Sequence, residues 1–213
     1  MTETKIYMRM HQLKYTYLLI CILYGTSLLS QGLELRPQTG ISVMKVNPSP
    51  DEANLQATLS YMLGGDIMIG KRFFGLSGLQ YQRFRVKIEY GDKNKAEQLV
   101  SGNLMRIPLN GGMRLLRKSS KTILNARVYG GFIFYYLGSV KTLNSSATAG
   151  QIRSDDFNAA YLSSNIGGGI DFLRFFCDIQ FEKGVSNIFR FTDYYGRSKV
   201  DGVTVIAGLR FRF

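Results

Sequence analysis

The sequence predicts an all-β chain: an eight-stranded antiparallel up-and-down transmembrane β-barrel with short periplasmic turns and long external loops. Three observations carry this. Apolar and polar residues alternate with period two through most of the chain, as in residues 175–182, where Phe175, Cys177, Ile179 and Phe181 oppose Asp178, Gln180 and Glu182. The connections between such runs alternate short and long, which puts every long loop at one end. The chain then stops on Gly208-Leu-Arg-Phe-Arg-Phe213, alternating and ending in an aromatic residue. An even strand count lets the sheet close, and in lipid closure gives every backbone polar group a partner.

Ahead of the strands, Lys5, Arg9 and Lys14 outweigh Glu3, an apolar run follows over residues 15–24, and Gly25-Thr-Ser-Leu-Leu-Ser30 supplies a small-residue exit. These are the parts of a secretory signal peptide, and even counted on to Leu29 the stretch is about 15 residues, short of the roughly 20 that a spanning helix needs. Residues 1–30 are therefore expected to be cleaved, leaving 31–213 as the barrel domain. A lipoprotein anchored on Cys21 is disfavoured because bulky Leu19 and Ile20 precede it.

Eight strands are expected near 33–46, 59–71, 74–90, 103–116, 122–138, 157–172, 175–184 and 199–213. The first is the weakest, since Pro37 removes a ladder donor and is expected to mark where pairing begins. In the second, Tyr61, Leu63, Ile67 and Ile69 share a face opposite Ser60 and Asp66. Segments 71–73, 117–121 and 173–174 read as turns, and 47–58, 91–102, 139–156 and 185–198 as long polar loops. Several of these strands run 12 to 16 residues, long enough for a tilted crossing of 9–11 residues. A soluble lipocalin-like barrel would reverse the faces, with polar residues outside and apolar residues within.

Asp66, Arg85, Glu89, Arg106, Arg114, Arg127, Asp171, Asp178, Glu182 and Arg210 are expected to face the lumen. Eight strands enclose only enough space for side chains to fill, and charges held there need partners. The expected arrangement is a structural plug of ion pairs rather than a pore. Gly64-Gly65, Gly111-Gly112, Gly130-Gly131 and Gly167-Gly168-Gly169 would face inward and make room for long neighbours. The last lacks the helix and Lys of a phosphate loop. Tyr61, Tyr81, Tyr90, Tyr135, Tyr136 and Tyr161, with Phe132, Phe134, Phe172 and Phe175, are expected to form interfacial girdles. Leu209, Phe211 and Phe213 form a terminal assembly signal read by strand addition. Deleting Phe213 should lower the amount of barrel in the membrane, and unchanged levels would refute the signal.

Several segments resemble the PorT-like outer-membrane β-barrel family: Met105-Arg-Ile-Pro-Leu109, Asn165-Ile-Gly-Gly-Gly-Ile-Asp-Phe172, Lys183-Gly-Val-Ser-Asn-Ile188 and residues 207–213. The resemblance covers roughly residues 59–213. It implies an eight-stranded outer-membrane protein of bacteria that use type IX secretion, and it specifies no activity.

The full chain carries 27 Lys+Arg against 15 Asp+Glu, with His11 as its one histidine. Cleavage after Ser30 would leave 24 basic against 14 acidic residues, net +10, with Cys177 as the one cysteine and no histidine. Acyl-transfer and protease constellations generally use a His base, so no catalysis and no cofactor are expected. Asp155-Asp156 reads as a solvated loop, and Ser119-Ser120-Lys121 lies in a turn with nothing to shape a site. Nucleic-acid binding is disfavoured because the basic residues are spread out and form no recognisable module. Lys71, Arg72, Arg117, Lys118, Lys121, Arg174 and Arg212 gather at the periplasmic end, where lipid phosphates lie, and Lys141, Arg153, Arg190, Arg197 and Lys199 face lipopolysaccharide. The expected role is structural or binding, through loops 139–156 and 185–198 or through the periplasmic rim. The alternative is an accessory component of protein secretion or transport across the outer membrane. The expected partners are outer-membrane lipids and lipopolysaccharide, the barrel assembly machinery and secretion-system proteins.

Overall fold

The computed structural model describes residues 32–47, 53–55, 58–90, 96–116, 124–145, 156–190 and 198–213. The signal segment, Asp155, residues 117–121, Arg153 and Arg197 lie outside these residues. So do the side chains of Glu89 and Tyr90.

The strands are β1 (Leu33–Asn47), β2 (Ala53–Leu55), β3 (Thr58–Ile69), β4 (Phe73–Tyr90), β5 (Ala96–Arg114), β6 (Leu124–Ser145), β7 (Ala160–Phe172), β8 (Phe175–Gly184), β9 (Lys199–Leu209) and β10 (Phe211–Arg212). The short β2 pairs with the far end of β4, and β10 continues the line of β9. The remaining order is β1-β3-β4-β5-β6-β7-β8-β9, every pair antiparallel, and β9 pairs back onto β1 from Gln38↔Gly208 to Asn47↔Lys199. The sheet is thus an eight-stranded up-and-down barrel without a free first or last strand.

Pairing begins before Pro37. The β1–β3 ladder runs unbroken from Leu33↔Ile69 through Pro37↔Gly65 to Met44↔Thr58. The missing donor leaves only a local gap on the other side, where β1 pairs with β10 at Glu34 and Leu35 and resumes with β9 at Gln38. Opposite this gap, the Arg210 amide donates to the Arg174 carbonyl at 2.7 Å.

Strand reaches into two of the expected long loops, over residues 96–102 and 139–145. β4 and β5 are joined by residues 91–95 alone, and β6 runs on to Ser145 whereas β7 starts opposite Tyr136. Ladder pairing uses backbone groups and needs no apolar side chains, so it continues through polar sequence such as Glu97-Gln98 and Lys141-Thr142. The lengths of the connections therefore do not alternate strictly. The up-and-down sense survives: the β3–β4, β5–β6 and β7–β8 joins fall at the end where β1 starts and β9 finishes, and the other joins at the opposite end.

Exposure divides by face. Tyr61, Leu63, Phe73, Ile166, Phe175 and Phe181 are each more than half exposed, whereas Glu34, Arg36, Arg106, Arg127 and Asp171 are at most 1% exposed. This is the reverse of a soluble barrel. Tyr81, Tyr136, Phe132, Phe134 and Phe172 also face out, as expected of girdles. Tyr135 and Tyr161 do not: they are buried in the lumen, their rings stacked at 4.5 Å. Both share a phase with inward residues, Tyr135 with Arg127 and Tyr161 with Ser163.

The paired glycines split between the faces, as alternation requires. Gly112 and Gly208 face in, and a Cβ there would come within 2.5 Å of the Phe74 ring and 2.8 Å of the Phe176 ring. Gly111 takes the outer phase, where a Cβ would meet nothing within 4 Å.

Candidate functional site: the ion-paired interior and its cap

Alternation along eight strands sends one row of side chains per strand into the lumen, and the charged members form three tiers. Nearest the turn end, Glu34 of β1 accepts from Arg114 Nη2 at 2.9 Å and from Arg212 Nε at 2.8 Å. Arg114 Nη1 also donates to the Gly70 carbonyl at 2.8 Å, which ties the β3–β4 turn to the interior.

In the middle tier, Arg127 of β6 donates to both Asp171 and Asp178. Asp178 also pairs with Arg36 at 3.3 Å, and Asp171 with Arg210 at 3.1 Å. The Phe176 ring lies 3.7 Å from the Arg36 guanidinium and 5.3 Å from that of Arg127. Cation–π contact of this kind strengthens when desolvated.

The upper tier centres on Glu182 of β8. It accepts from Arg106, from the Tyr135 hydroxyl and from Thr204 Oγ1 at 2.8 Å. Thr204 Oγ1 lies 3.0 Å from Ser42 Oγ, linking the tier to β1. The Arg106–Glu182 and Arg114–Glu34 pairs each join strands three places apart in the ring, so they cross the lumen rather than follow its wall. Asp66 stands apart from these tiers, accepting from Gln80 Nε2 at 3.0 Å.

Above the upper tier the lumen turns apolar. Phe84, Val100, Leu104, Ile133, Tyr161 and Val200 form a buried cluster closed by Ile188 and Phe189 from the β8–β9 connection. That connection is pinned by backbone bonds Asn158 N–H to Ile188 O at 2.8 Å and Ile188 N–H to Ser198 O at 3.0 Å. Asn158 Nδ2 donates to the Asn187 and Phe189 carbonyls. Residues 185–190, expected as part of a binding loop, instead begin by stoppering the barrel.

Eight of the expected lumen residues are therefore inside: Asp66, Arg106, Arg114, Arg127, Asp171, Asp178, Glu182 and the partly exposed Arg210. Arg85 is not. Phe74, Leu76, Gln80, Gln82 and Phe84 fix the even-numbered positions of β4 as inward, so Arg85 falls on the outer face, well up the long β4 strand, and is exposed. Leu209, Phe211 and Phe213 all face outward. Arg212, expected to face lipid phosphates, is instead held by Glu34. Glu34, Arg36 and the inward tyrosines are the members that the sequence reading missed, although Glu34, Arg36 and Gln38 alternate with Leu35, Pro37 and Thr39.

Chemically this interior holds shape. The carboxylates of Glu34, Asp171, Asp178 and Glu182 are tied to guanidinium groups. Charges buried in this way are held by their pairing.

No protein-family model matches the chain, and no curated protein matches it. Among solved structures it is similar to the attachment invasion locus protein Ail of Yersinia pestis, at 12% identity and TM-score 0.42, covering 84% of this chain and 98% of that one. It is also similar to the translocator domain of the autotransporter NalP from Neisseria meningitidis, at 14% identity and TM-score 0.41 over the whole of both chains. The N-terminal β-barrel domain of Pseudomonas aeruginosa OprF matches at 14% identity and TM-score 0.35, covering 82% and 97%.

Proposed function

We propose that the chain is a bacterial outer-membrane β-barrel with a plugged interior, acting as a structural or interaction protein through its two ends and not as an enzyme. The observation that carries this is the inversion of its faces: an apolar outer wall around buried, ion-paired charge. A wall of that size would be an aggregation hazard in water and is what the hydrocarbon of a bilayer requires. The turn end, with exposed Lys71, Arg72 and Arg174, would face the periplasm. The opposite end, with exposed Arg83, Arg85, Lys141 and Arg190, would meet lipopolysaccharide phosphates. The tall β4–β5–β6 wall, rather than the stoppered β8–β9 connection, is the surface offered to an external partner. A PorT-like kinship and a link to secretion belong to the same reading.

The test is a single cysteine at Leu63, on the outer face midway along β3, in a Cys177→Ala background. In vesicles it should react with a bilayer-soluble maleimide and resist a water-soluble one, alongside heat-modifiable migration on a gel. Rapid labelling by the water-soluble reagent would sink the membrane reading.

A further inference from the structure

The outer wall is uneven on one side. Along β4 the outward row reads Phe73, Gly75, Ser77, Leu79, so two small residues lie between two large ones that are 70% and 52% exposed. Ile67 and Ile69 of β3 stand on one flank and Leu109 of β5 on the other, with Gly111 paired directly to Gly75. The flanking strands are ~10 Å apart, and the depression between them has a volume of about 540 Å³. Its lining is almost wholly apolar. At its turn end the chain passes from Ile69 through Gly70 to Lys71 and Arg72, both exposed. The Arg72 guanidinium sits 5.9 Å from the Phe73 ring centroid, beside the groove, and neither basic residue is ion-paired among the described residues.

We propose that this groove and its basic end form a seat for one anionic phospholipid of the inner leaflet. An acyl chain lies over Gly75 and Ser77 between the Ile67–Ile69 and Leu109 flanks, and the headgroup phosphate is held by Lys71 and Arg72. In hydrocarbon the whole outer wall is equally apolar, so burial alone favours no position. A groove left unfilled forfeits dispersion contacts with every atom lining it, and a flexible chain of single methylene width can supply them where a rigid protein face cannot. Charge then selects the headgroup, because two exposed cations at the bilayer surface favour a net-negative lipid. The position at the turn end selects a phospholipid over lipopolysaccharide.

The inference rests on the membrane-barrel reading, and the experiment separates the two. Full-length mature barrel is refolded, its folding is confirmed by heat-modifiable migration, and bound lipid is counted by native mass spectrometry in mixed micelles containing phosphatidylglycerol or phosphatidylcholine. The wild type should retain one phosphatidylglycerol per barrel, preferred on the order of tenfold over phosphatidylcholine. Gly75→Leu should fold normally, since a Cβ there meets nothing within 4 Å, yet lose at least fivefold in retention. Gly111→Leu, equally open on β5, fills the same groove from its neighbour and should behave alike. The Lys71→Gln/Arg72→Gln variant should keep a lipid but lose the headgroup preference. Equal retention by wild type and both leucine variants overturns the seat, as does a groove-dependent dimer mass in place of the lipid adduct. A chain that never becomes heat-modifiable would instead refute the barrel in a membrane.

Discussion

Glu182→Leu is expected to cost the barrel about 3–5 kcal/mol, because it leaves a buried arginine without its counter-charge. Arg106 is fully buried, and its one carboxylate partner among the described residues is Glu182. The change also strands the Tyr135 hydroxyl, which bonds the same carboxylate, and leaves Thr204 Oγ1 with only its Ser42 partner. The comparison that matters is the double variant Arg106→Leu/Glu182→Leu. Replacing a whole buried ion pair by apolar residues is often neutral or stabilising, so the double variant should recover most of the loss. Urea midpoints of the refolded barrels read both effects. A double variant as unstable as the single one would show that the pair's geometry, and not its uncompensated charge, supports the upper tier.

Gly169→Val should abolish the folded, heat-modifiable band. Gly169 faces Asp178 directly across the β7–β8 ladder, and a Cβ there would run into the Asp178 carboxylate and approach the Cys177 carbonyl to 2.5 Å. Moving Asp178 aside breaks its bonds to Arg36 and Arg127. Overpacking of about 1–3 kcal/mol adds to a broken buried pair of about 3–5 kcal/mol, which reaches the lower end of the ~5–15 kcal/mol by which folded chains are stable. The control is Gly111→Val, on the open outer face, which should fold with a urea midpoint close to that of the wild type. If both variants fold equally well, inward glycines are not what admits the charged tiers.

The architecture was legible because period-two alternation reports directly on which face a side chain takes, and the β8 pattern is reproduced residue for residue. What alternation did not settle was phase where chemistry pulled the other way. Charge alone puts Arg85 inside, although Phe84 and the rest of β4 fix it outside. Ring type alone puts Tyr135 and Tyr161 in a girdle, yet they donate to or pack around a buried carboxylate. Glu34 and Arg36 lie on the strand that Pro37 makes look weakest, but a closed ring needs its first strand paired on both sides. Strand ends are the other blind spot, since polar sequence pairs through its backbone as well as apolar sequence does. Which arginine meets which carboxylate depends on contacts across the lumen between strands far apart in sequence, and no local pattern encodes them.

The join between β1 and the β9–β10 pair has a consequence for timing. Glu34 meets Arg212, and the Phe213 amide donates to the Leu33 carbonyl at 2.9 Å. The bond that completes the ring therefore links residues separated by nearly the whole barrel, the most demanding loop a chain can close. Every hairpin can form from neighbours as they appear, but the circle cannot be completed until the final strand has arrived. Until then the free edge strands offer unpaired amides to any passing strand, so the interval before ring closure is when this protein most needs an escort.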